Sequence, residues 1–147
     1  MDRSEIASFL TASRAGYVAE RMAAGDSEVA AARAADEQLA LSFPNGDPAP
    51  GHQLFVIAHD TERVGTLWIG PSGVDEPDTW WIWDIAIDES SRGRGIGRTA
   101  LMLAEDEART AGASRLGLNV FGGNAVARHL YESLGYDVVA IRMAKKL

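Results

Sequence analysis

The stretch SRGRGIG, residues 91–97, combines three glycines with two arginines and contains no carboxylate. Glycine allows successive backbone N–H groups to turn toward one point, and arginine adds formal positive charge. The stretch lies between the apolar run WWIWDIAID and a run with helical composition, RTALMLAEDEARTAG. A glycine-rich turn between a strand and a helix suits an anion, because the helix N-terminus adds partial positive charge. We therefore expect a phosphate site here rather than a surface turn with incidental arginines.

Two common phosphate motifs do not fit this loop. A P-loop requires glycine five positions before Gly97, where the chain has Arg92, and lysine directly after it, where the chain has Arg98. The dinucleotide fingerprint G-x-G-x-x-G fits Gly93 and Gly95 but then requires glycine in place of Arg98. The loop therefore belongs to neither of these nucleotide-binding classes.

The elements that hold the loop follow from the spacing of the apolar residues. Two helices are expected first, over residues 2–23 and about 27–42, with Asp26 as the N-cap of the second. Short β-rich runs and further helices follow. The expected strands are 52–59, 63–70, 79–87, 114–120 and 136–143, and the expected later helices are 97–111 and 124–135. This order predicts an α/β (α+β) domain with a mixed central sheet flanked by helices.

Composition restricts the class of protein and the chemistry. At 147 residues the chain is expected to form a single domain over residues 1–147. The absence of cysteine excludes disulfides and an acyl-cysteine intermediate, and the three histidines have no metal-site spacing. The net charge of −7 argues against nucleic acid as a partner. The sequence has no long apolar run and no signal-peptide pattern, which predicts a cytoplasmic protein without a membrane partner.

The loop does match a third pattern. Residues 92–97, RGRGIG, fit Gln/Arg-x-x-Gly-x-Gly/Ala and resemble the acetyl-CoA pyrophosphate loop of the GNAT superfamily of N-acetyltransferases. The run IWDIAID precedes it as the family's central strand does. Residues 131–136, YESLGY, are similar to the Tyr-x-x-x-Gly-Phe/Tyr ending of a later helix in the family. The resemblance implies the GNAT acyl-CoA N-acyltransferase fold, with a first strand that is short or missing because helical residues start near Met1.

The resemblance also implies acetyl-CoA as cosubstrate, with no metal. In the family the central strand splays from its neighbour and its free backbone binds the pantetheine arm, a role that falls here on Ile85, Ala86 and Ile87. The N–H groups of residues 93–98 would hold the pyrophosphate, and a Cβ at the three glycines would collide or strain the turn. The residues assigned to the cofactor are Ile85, Ala86, Ile87, Arg92, Gly93, Arg94, Gly95, Ile96, Gly97, Arg98, Asn119, Asn124 and Tyr131.

Tyr131 is the candidate acid that protonates the leaving thiolate, by resemblance to the family. Asn124, the expected N-cap of the last helix, lies seven residues before it, so both side chains face one side of that helix. Asn124 would contact the pantetheine or the nearby phosphate. The alternative role of Tyr131 is a core aromatic, since Ala127, Leu130 and Leu134 share its face.

Asp84 is the candidate base that takes a proton from the amine. It lies between Trp83 and Ile85 in an apolar strand, where a carboxylate is costly unless it is paired or used, and where its pKa would rise. A structural or solvent-facing carboxylate is the alternative, with a water relay serving as base. Asn119, within the predicted fourth strand, would order a water or contact the pantetheine.

Two functions agree with these residues. The first is direct transfer of an acetyl group from acetyl-CoA to an amine, either a small cationic amine or a peptide amine; the lack of cysteine favours this direct route. The alternative is a non-catalytic acyl-CoA-binding sensor or regulatory module of the same fold. A homodimer is possible because the family is often dimeric. The sequence does not identify the amine, the acyl-chain preference, the base or the oligomeric state.

Overall fold

The computed structural model describes residues 1–73 and 75–145. Within these residues, four helices and four strands follow one another in the predicted order, but the predicted last strand is missing. They are α1 (Arg3–Ala23), α2 (Glu28–Ser42), β1 (Gln53–His59), β2 (Glu62–Pro71), β3 (Thr79–Ile87), α3 (Ile96–Thr110), β4 (Arg115–Leu118) and α4 (Ala125–Ser133). Short 3-10 turns at Pro44–Gly46 and Glu89–Ser91 follow α2 and β3. No helix within the described residues is long and apolar enough to cross a membrane.

The strands form one mixed sheet in the order β1-β2-β3-β4. The first three strands are antiparallel neighbours, and β4 runs parallel to β3. Helices cover both faces, so the predicted mixed sheet flanked by helices is confirmed. The first element is a helix, as expected from the residues that follow Met1.

Two apolar clusters hold the layers together. On one face, α3 packs on the sheet through a cluster with Leu101 and Ile69 at its centre, both fully buried, and the small Ala104 allows close approach. On the other face, α1 and the end of α2 meet the sheet where Phe9 and Phe43 pack on Trp68. Burying one such side chain contributes about 1.5–3 kcal/mol, so these clusters are a main source of stability.

Local sequence sets where the first two helices begin. Asp2 caps α1 by accepting from the N–H groups of Ser4 and Glu5, and the Glu5 carboxylate accepts in return from the Asp2 N–H. The predicted N-cap of α2, Asp26, is wrong: Ser27 caps α2 by accepting from Ala30. The reason is that the Asp26 carboxylate is instead paired with Arg21 at 2.6 Å.

The two C-terminal strands differ from the prediction. The strand expected over 114–120 is shorter, since β4 ends at Leu118 and Asn119 lies just beyond it, exposed. The strand expected over 136–143 is not formed: residues 136–145 have no regular structure. Apolar β-rich composition makes a strand only when a neighbour offers a hydrogen-bonding ladder, and residues 137–145 make no backbone hydrogen bond to another described residue.

Candidate functional site

The glycine-rich loop connects the end of β3 to the start of α3. Gly93 and Gly95 have φ values of +74° and +79°, in the left-handed region that residues with a Cβ rarely adopt. A Cβ at either position would meet no protein atom within 4 Å, so strain rather than collision requires glycine there. Gly97 has no such φ, and its Cβ would make an ordinary 3.5 Å contact with Leu130. Of the expected collision or strain at the three glycines, strain is therefore found at Gly93 and Gly95, and neither is found at Gly97 within the chain itself.

The backbone of this loop forms a site for an anion. The N–H groups of residues 93–98 donate to no acceptor among the described residues. Three of them belong to the first turn of α3, a helix of 15 residues whose N-terminal partial charge is positive. Residues 92–98 are called the anion loop below.

The three arginines of the anion loop have different surroundings. The Arg92 Nε donates to the Ile87 carbonyl at 2.9 Å, and the Arg98 Nη2 donates to the Ser133 hydroxyl on α4 at 2.5 Å. Arg94 lines a cavity of about 460 Å³ between β1 and α3. Within residues 1–73 and 75–145 none of the three forms an ion pair with a carboxylate, so their charge is available to a ligand.

The central strand separates from its parallel neighbour, as the resemblance implied. β3 pairs with β4 only over residues 79–82, opposite residues 115–118. Beyond Ile82 the strand remains paired with β2 on its other side, up to Ile87 opposite Gly65. The edge of β3 at Ile85, Ala86 and Ile87 therefore meets no strand on the side of the space that opens between β3 and the residues after β4, although the Ile87 carbonyl already accepts from Arg92. This space is called the gap below.

A β-bulge turns Asp84 away from the apolar core on the α3 side. Trp68 pairs with Asp84 and Ile69 pairs with Ile82, which leaves Trp83 as an extra residue on β3. Burial raises the pKa of Asp84, and the Ser13 hydroxyl and the Ile85 N–H, which favour the ionised form, oppose that rise only in part. The neighbour Ser13 belongs to α1, so Asp84 faces the α1 side of the sheet.

Glu20 and Tyr131 complete a cluster with Asp84. Partial desolvation by neighbouring atoms, and then the charge of Asp84, raise the pKa of Glu20, although much of the residue remains accessible to solvent. Burial raises the pKa of Tyr131, and the charges of Glu20 and Asp84 raise it further. A protonated phenol thus lies near two carboxyl groups. Asp84, Glu20 and Tyr131 are called the gap cluster below.

Sequence reasoning missed Glu20. A signal was present, because Glu20 follows Ser13 by seven residues, or two helical turns, and both therefore project from one face of α1. An exposed glutamate on a helix is usually a solvated surface residue, and only the tertiary arrangement brings this one toward Asp84.

The surroundings of Tyr131 agree with both of the roles that the sequence left open. Its ring packs against the α3-side apolar cluster and makes an edge-to-face contact with Tyr136, with ring centroids 5.9 Å apart. Its hydroxyl is at the same time close enough to Asp84 and Glu20 to respond to their charges. Asn124 caps α4 as predicted, since its Oδ1 accepts from the Ala127 N–H at 3.2 Å.

The arrangement can bind an anion at one end and handle protons at the other. Asp84 lies three residues, or about 10 Å, before the end of β3, and the anion loop begins beyond that end. A long ligand could thus run along the free β3 edge between the two. Among the described residues no group of three or more His, Cys, Asp or Glu side chains could hold a metal ion.

The sequence is similar to those of known acetyltransferases. Residues 19–136 match the acetyltransferase (GNAT) family. The Bacillus subtilis protein YycN, named an uncharacterized N-acetyltransferase, is 32% identical over 149 residues, which span 100% of this chain and 96% of YycN. The crystal structure of YycN has a TM-score of 0.89 to this chain at 31% identity, covering 100% of this chain and 95% of that one.

Two further relatives match shorter regions. The B. subtilis uncharacterized N-acetyltransferase YdgE is 36% identical over 106 residues, 71% of this chain and 68% of YdgE. The mycothiol acetyltransferase of Rhodococcus erythropolis is 32% identical over 101 residues, 67% of this chain but only 33% of that enzyme. In contrast to these two, the likeness to YycN extends over all of this chain and 96% of YycN.

Proposed function

Because the chain belongs to the acetyltransferase (GNAT) family, we propose that it is an N-acetyltransferase that carries an acetyl group from acetyl-CoA directly to an amine. The observation that carries this proposal is the position of the anion loop and the gap cluster at two ends of one free strand edge. We also propose that residues 1–147 act as a single catalytic domain, since the family match runs over residues 19–136.

The residues present fit coenzyme A. The six free N–H groups of residues 93–98, with the guanidinium groups of Arg92, Arg94 and Arg98, would bind the pyrophosphate. The free backbone edge at Ile85, Ala86 and Ile87 would bind the amide groups of the pantetheine arm. Acetyl-CoA supplies the reactive thioester when bound.

Two asparagines near the gap would add contacts to the cofactor. Asn119 is exposed just after β4, on the side where β3 and β4 diverge. Asn124 uses its Oδ1 to cap α4, which leaves its amide NH₂ group as a donor toward the ligand. Both assignments follow from position beside the gap.

The gap cluster would manage the protons of the reaction. Asp84, with its raised pKa, is a stronger base than an ordinary aspartate and would take the proton of the bound ammonium group. The amine nitrogen then forms a C–N bond to the acetyl carbon while the C–S bond breaks, and the nitrogen gives up its surplus proton to water so that a neutral amide remains. The Tyr131 hydroxyl would give its proton to the departing sulfur, and its raised pKa keeps that proton in place until the thiolate forms.

The acceptor that suits this site is a cationic amine. Glu20 and Asp84 put two carboxyl groups beside the reacting position, and a substrate ammonium would relieve their mutual repulsion. The rings of Tyr17 on α1 and Phe121 after β4, with centroids 6.3 Å apart, form an aromatic boundary near this side. A small cationic amine or the α-amino group of a peptide would fit both features.

The experiment is a thiol-release assay with acetyl-CoA and two acceptor pools, small aliphatic diamines and polyamines in one and short peptides with free N-termini in the other. Calorimetric titration with acetyl-CoA runs beside it. We expect acetyl-CoA binding and thiol release with at least one pool, and loss of release in Asp84→Asn. Binding without release from any amine would favour the non-catalytic sensor. Absence of binding would overturn the assignment of the anion loop.

A further inference from the structure

The edge of the sheet at β1 is open to a further strand. β1 is hydrogen-bonded on one side only, to β2, and among the described residues its backbone makes no hydrogen bond outside that ladder. The ladder is regular over residues 53–57, and its one shift, between Ile57 and Ala58, comes near its end. The sequence of β1, QLFVIAH, contains no proline, lysine, arginine or carboxylate, the residues that commonly block such an edge. The edge thus keeps a row of free N–H and C=O groups.

A cavity of about 460 Å³ runs along this edge, between β1 and α3. Five successive residues of β1, from Phe55 to His59, line it. Successive side chains of a strand point to opposite faces, so a cavity over one face would meet only alternate residues, whereas one along the edge meets all of them. The other wall is an apolar stripe of α3, formed by Ala100, Leu103 and Ala104, of which Leu103 is 59% exposed. This space between the β1 edge and α3 is called the edge groove below.

The rim of the edge groove is acidic. Glu107 of α3 lines the groove itself, and Asp60 and Glu62, where β1 turns into β2, line an adjoining cavity of about 280 Å³. Arg94 of the anion loop borders both cavities and is the one arginine or lysine among their described lining residues. Three carboxylates against one guanidinium favour a positively charged ligand. A second copy of this chain, with a net charge of −7, suits the groove less well.

These features together select one class of ligand. An aliphatic molecule would cover the strand edge without bonding to its N–H and C=O groups, which would then be buried unpaired at a cost. An extended peptide pairs with those groups and directs every second side chain to the α3 side. We propose that the edge groove binds an extended, positively charged peptide segment of a partner protein, which adds to β1 as a further strand of the sheet. Apolar side chains of the segment would lie against Leu103 and Ala104, and its basic side chains would flank them beside Glu107 and Asp60.

The probe is a capped heptapeptide, acetyl-KTVTITK-amide. In an extended strand its valine, its isoleucine and both lysines share one face, and its threonines lie on the other. Calorimetric titration of the full chain should show binding. The acidic version, acetyl-ETVTITE-amide, should bind at least about tenfold more weakly, because its glutamates meet Glu107 and Asp60. The binding does not depend on acetyl transfer, so it is measured without acetyl-CoA. Absence of binding, or equal binding of the two peptides, would overturn the proposal.

Backbone methylation distinguishes an added strand from a peptide held by its side chains alone. Alternate N–H groups of an added strand point toward β1, and the others point to solvent. One version of the lysine peptide carries N-methyl groups on the valine and the isoleucine, and the other carries them on the two threonines that follow these residues. One version should bind at least about tenfold more weakly and the other should bind as the parent peptide does. Equal effects of the two methylation patterns would overturn the added strand.

Two exposed apolar residues of α3 provide matched variants. Leu103 lines the groove, whereas its neighbour Met102, 52% exposed, does not. Leu103→Gln should weaken binding of the lysine peptide at least about threefold, and Met102→Gln should leave it unchanged. Both side chains are largely in water, so both variants should keep the wild-type melting temperature. Equal dissociation constants for the two variants would place the peptide elsewhere, which overturns the proposal.

A second copy of the chain is the competing occupant, since two β1 edges could pair with each other. In analytical ultracentrifugation, wild type and Leu103→Gln should have the same oligomeric state. A dimer that dissociates in Leu103→Gln would show that a second copy fills the edge groove, which overturns the proposal. Octylammonium is the second competitor, and binding as tight as that of the lysine peptide would show a site for amphiphiles and would also overturn it.

Discussion

Asp84 pairs with Trp68 across the β2–β3 ladder, although the next pair along the same ladder joins Ile82 to Ile69. The extra residue, Trp83, is the reason that Asp84 faces α1. With strict alternation Asp84 would share a face with Trp80 and Ile82, inside the apolar core on the α3 side. The bulge therefore moves a carboxyl group out of a core where it would be unpaired and toward α1, where the other members of the gap cluster lie near it.

Asp84→Asn tests the proposed base. We expect kcat for acetyl transfer to fall about 10²–10⁴-fold, because the amide cannot accept the ammonium proton. Since burial raises the pKa of Asp84, the acid limb of the wild-type kcat/KM profile should lie above the ordinary aspartate value of 3.8, and it should vanish in the variant. The control is Glu62→Gln, which removes an exposed carboxylate at the start of β2 and should keep the wild-type profile. If Asp84→Asn keeps the full acid limb of the kcat/KM profile, another group is the base.

The same substitution should change the pH dependence of stability. A raised pKa means that the folded chain still holds a proton at Asp84 when the unfolded chain has released it, at pH values just above 3.8. The free energy of unfolding therefore falls as pH rises through this interval and remains lower above it. Asp84→Asn should be at least as stable as wild type at pH 7, and this advantage should shrink toward pH 4. Chemical denaturation at both pH values measures it. An equal loss of stability at both would indicate that the carboxylate holds the structure together.

Tyr131→Phe separates the hydroxyl from the ring. The ring packing on Tyr136 and on the α3-side cluster should survive, so the melting temperature should change little. Loss of the proton donor should lower kcat about 10²–10⁴-fold with a smaller change in the KM for acetyl-CoA. Tyr136→Phe removes a neighbouring hydroxyl outside the proposed reaction and should retain kcat. Equal effects of the two variants in steady-state kinetics would contradict the assignment of Tyr131 as the acid.

Gly95→Ala tests the anion loop against a matched glycine. Gly95 and Gly112 lie at opposite ends of α3 with φ values of +79° and +94°, and a Cβ at either would meet open space. Both alanine variants should lose roughly 1–2 kcal/mol of stability through the left-handed backbone alone. Only Gly95→Ala should also raise the KM or Kd for acetyl-CoA, because only that turn aims N–H groups at the pyrophosphate. If the two variants bind acetyl-CoA equally, the loop is not the cofactor site.

Local chemistry made much of the fold predictable. The bounds of β3 agree with the apolar run TWWIWDIAI residue for residue, and Asn124 caps α4 because a cap needs only its own helix. The anion loop was predictable for the same reason: Gly93 and Gly95 provide the positive φ of a short turn, and that turn depends only on residues nearby in sequence.

The features that depend on distant partners were not predictable. The bulge at Trp83 depends on where β2 places Trp68, and the alternation of apolar and polar residues along β3 does not reveal that register. Glu20 acquires its position only when α1 packs across the sheet. The residues of 136–143 have the composition of a strand, but a strand also needs a neighbour, and that neighbour is a matter of tertiary or quaternary arrangement.

The short contact between β3 and β4 also shapes how the chain moves. Among the described residues, the strand ladder joins β3 and β4 only over residues 79–82 and 115–118, and the hydrogen bond from Arg98 to Ser133 connects side chains of α3 and α4. β4 with α4 can therefore detach as a local unit at a cost well below that of global unfolding. A ligand that spans the gap from the anion loop would hold this unit in place, so binding would lower the population of the open state, and a larger open population would weaken the apparent affinity. The amide exchange rates of Leu116 and Leu118 and the apparent affinity for the ligand would then be two measures of one equilibrium.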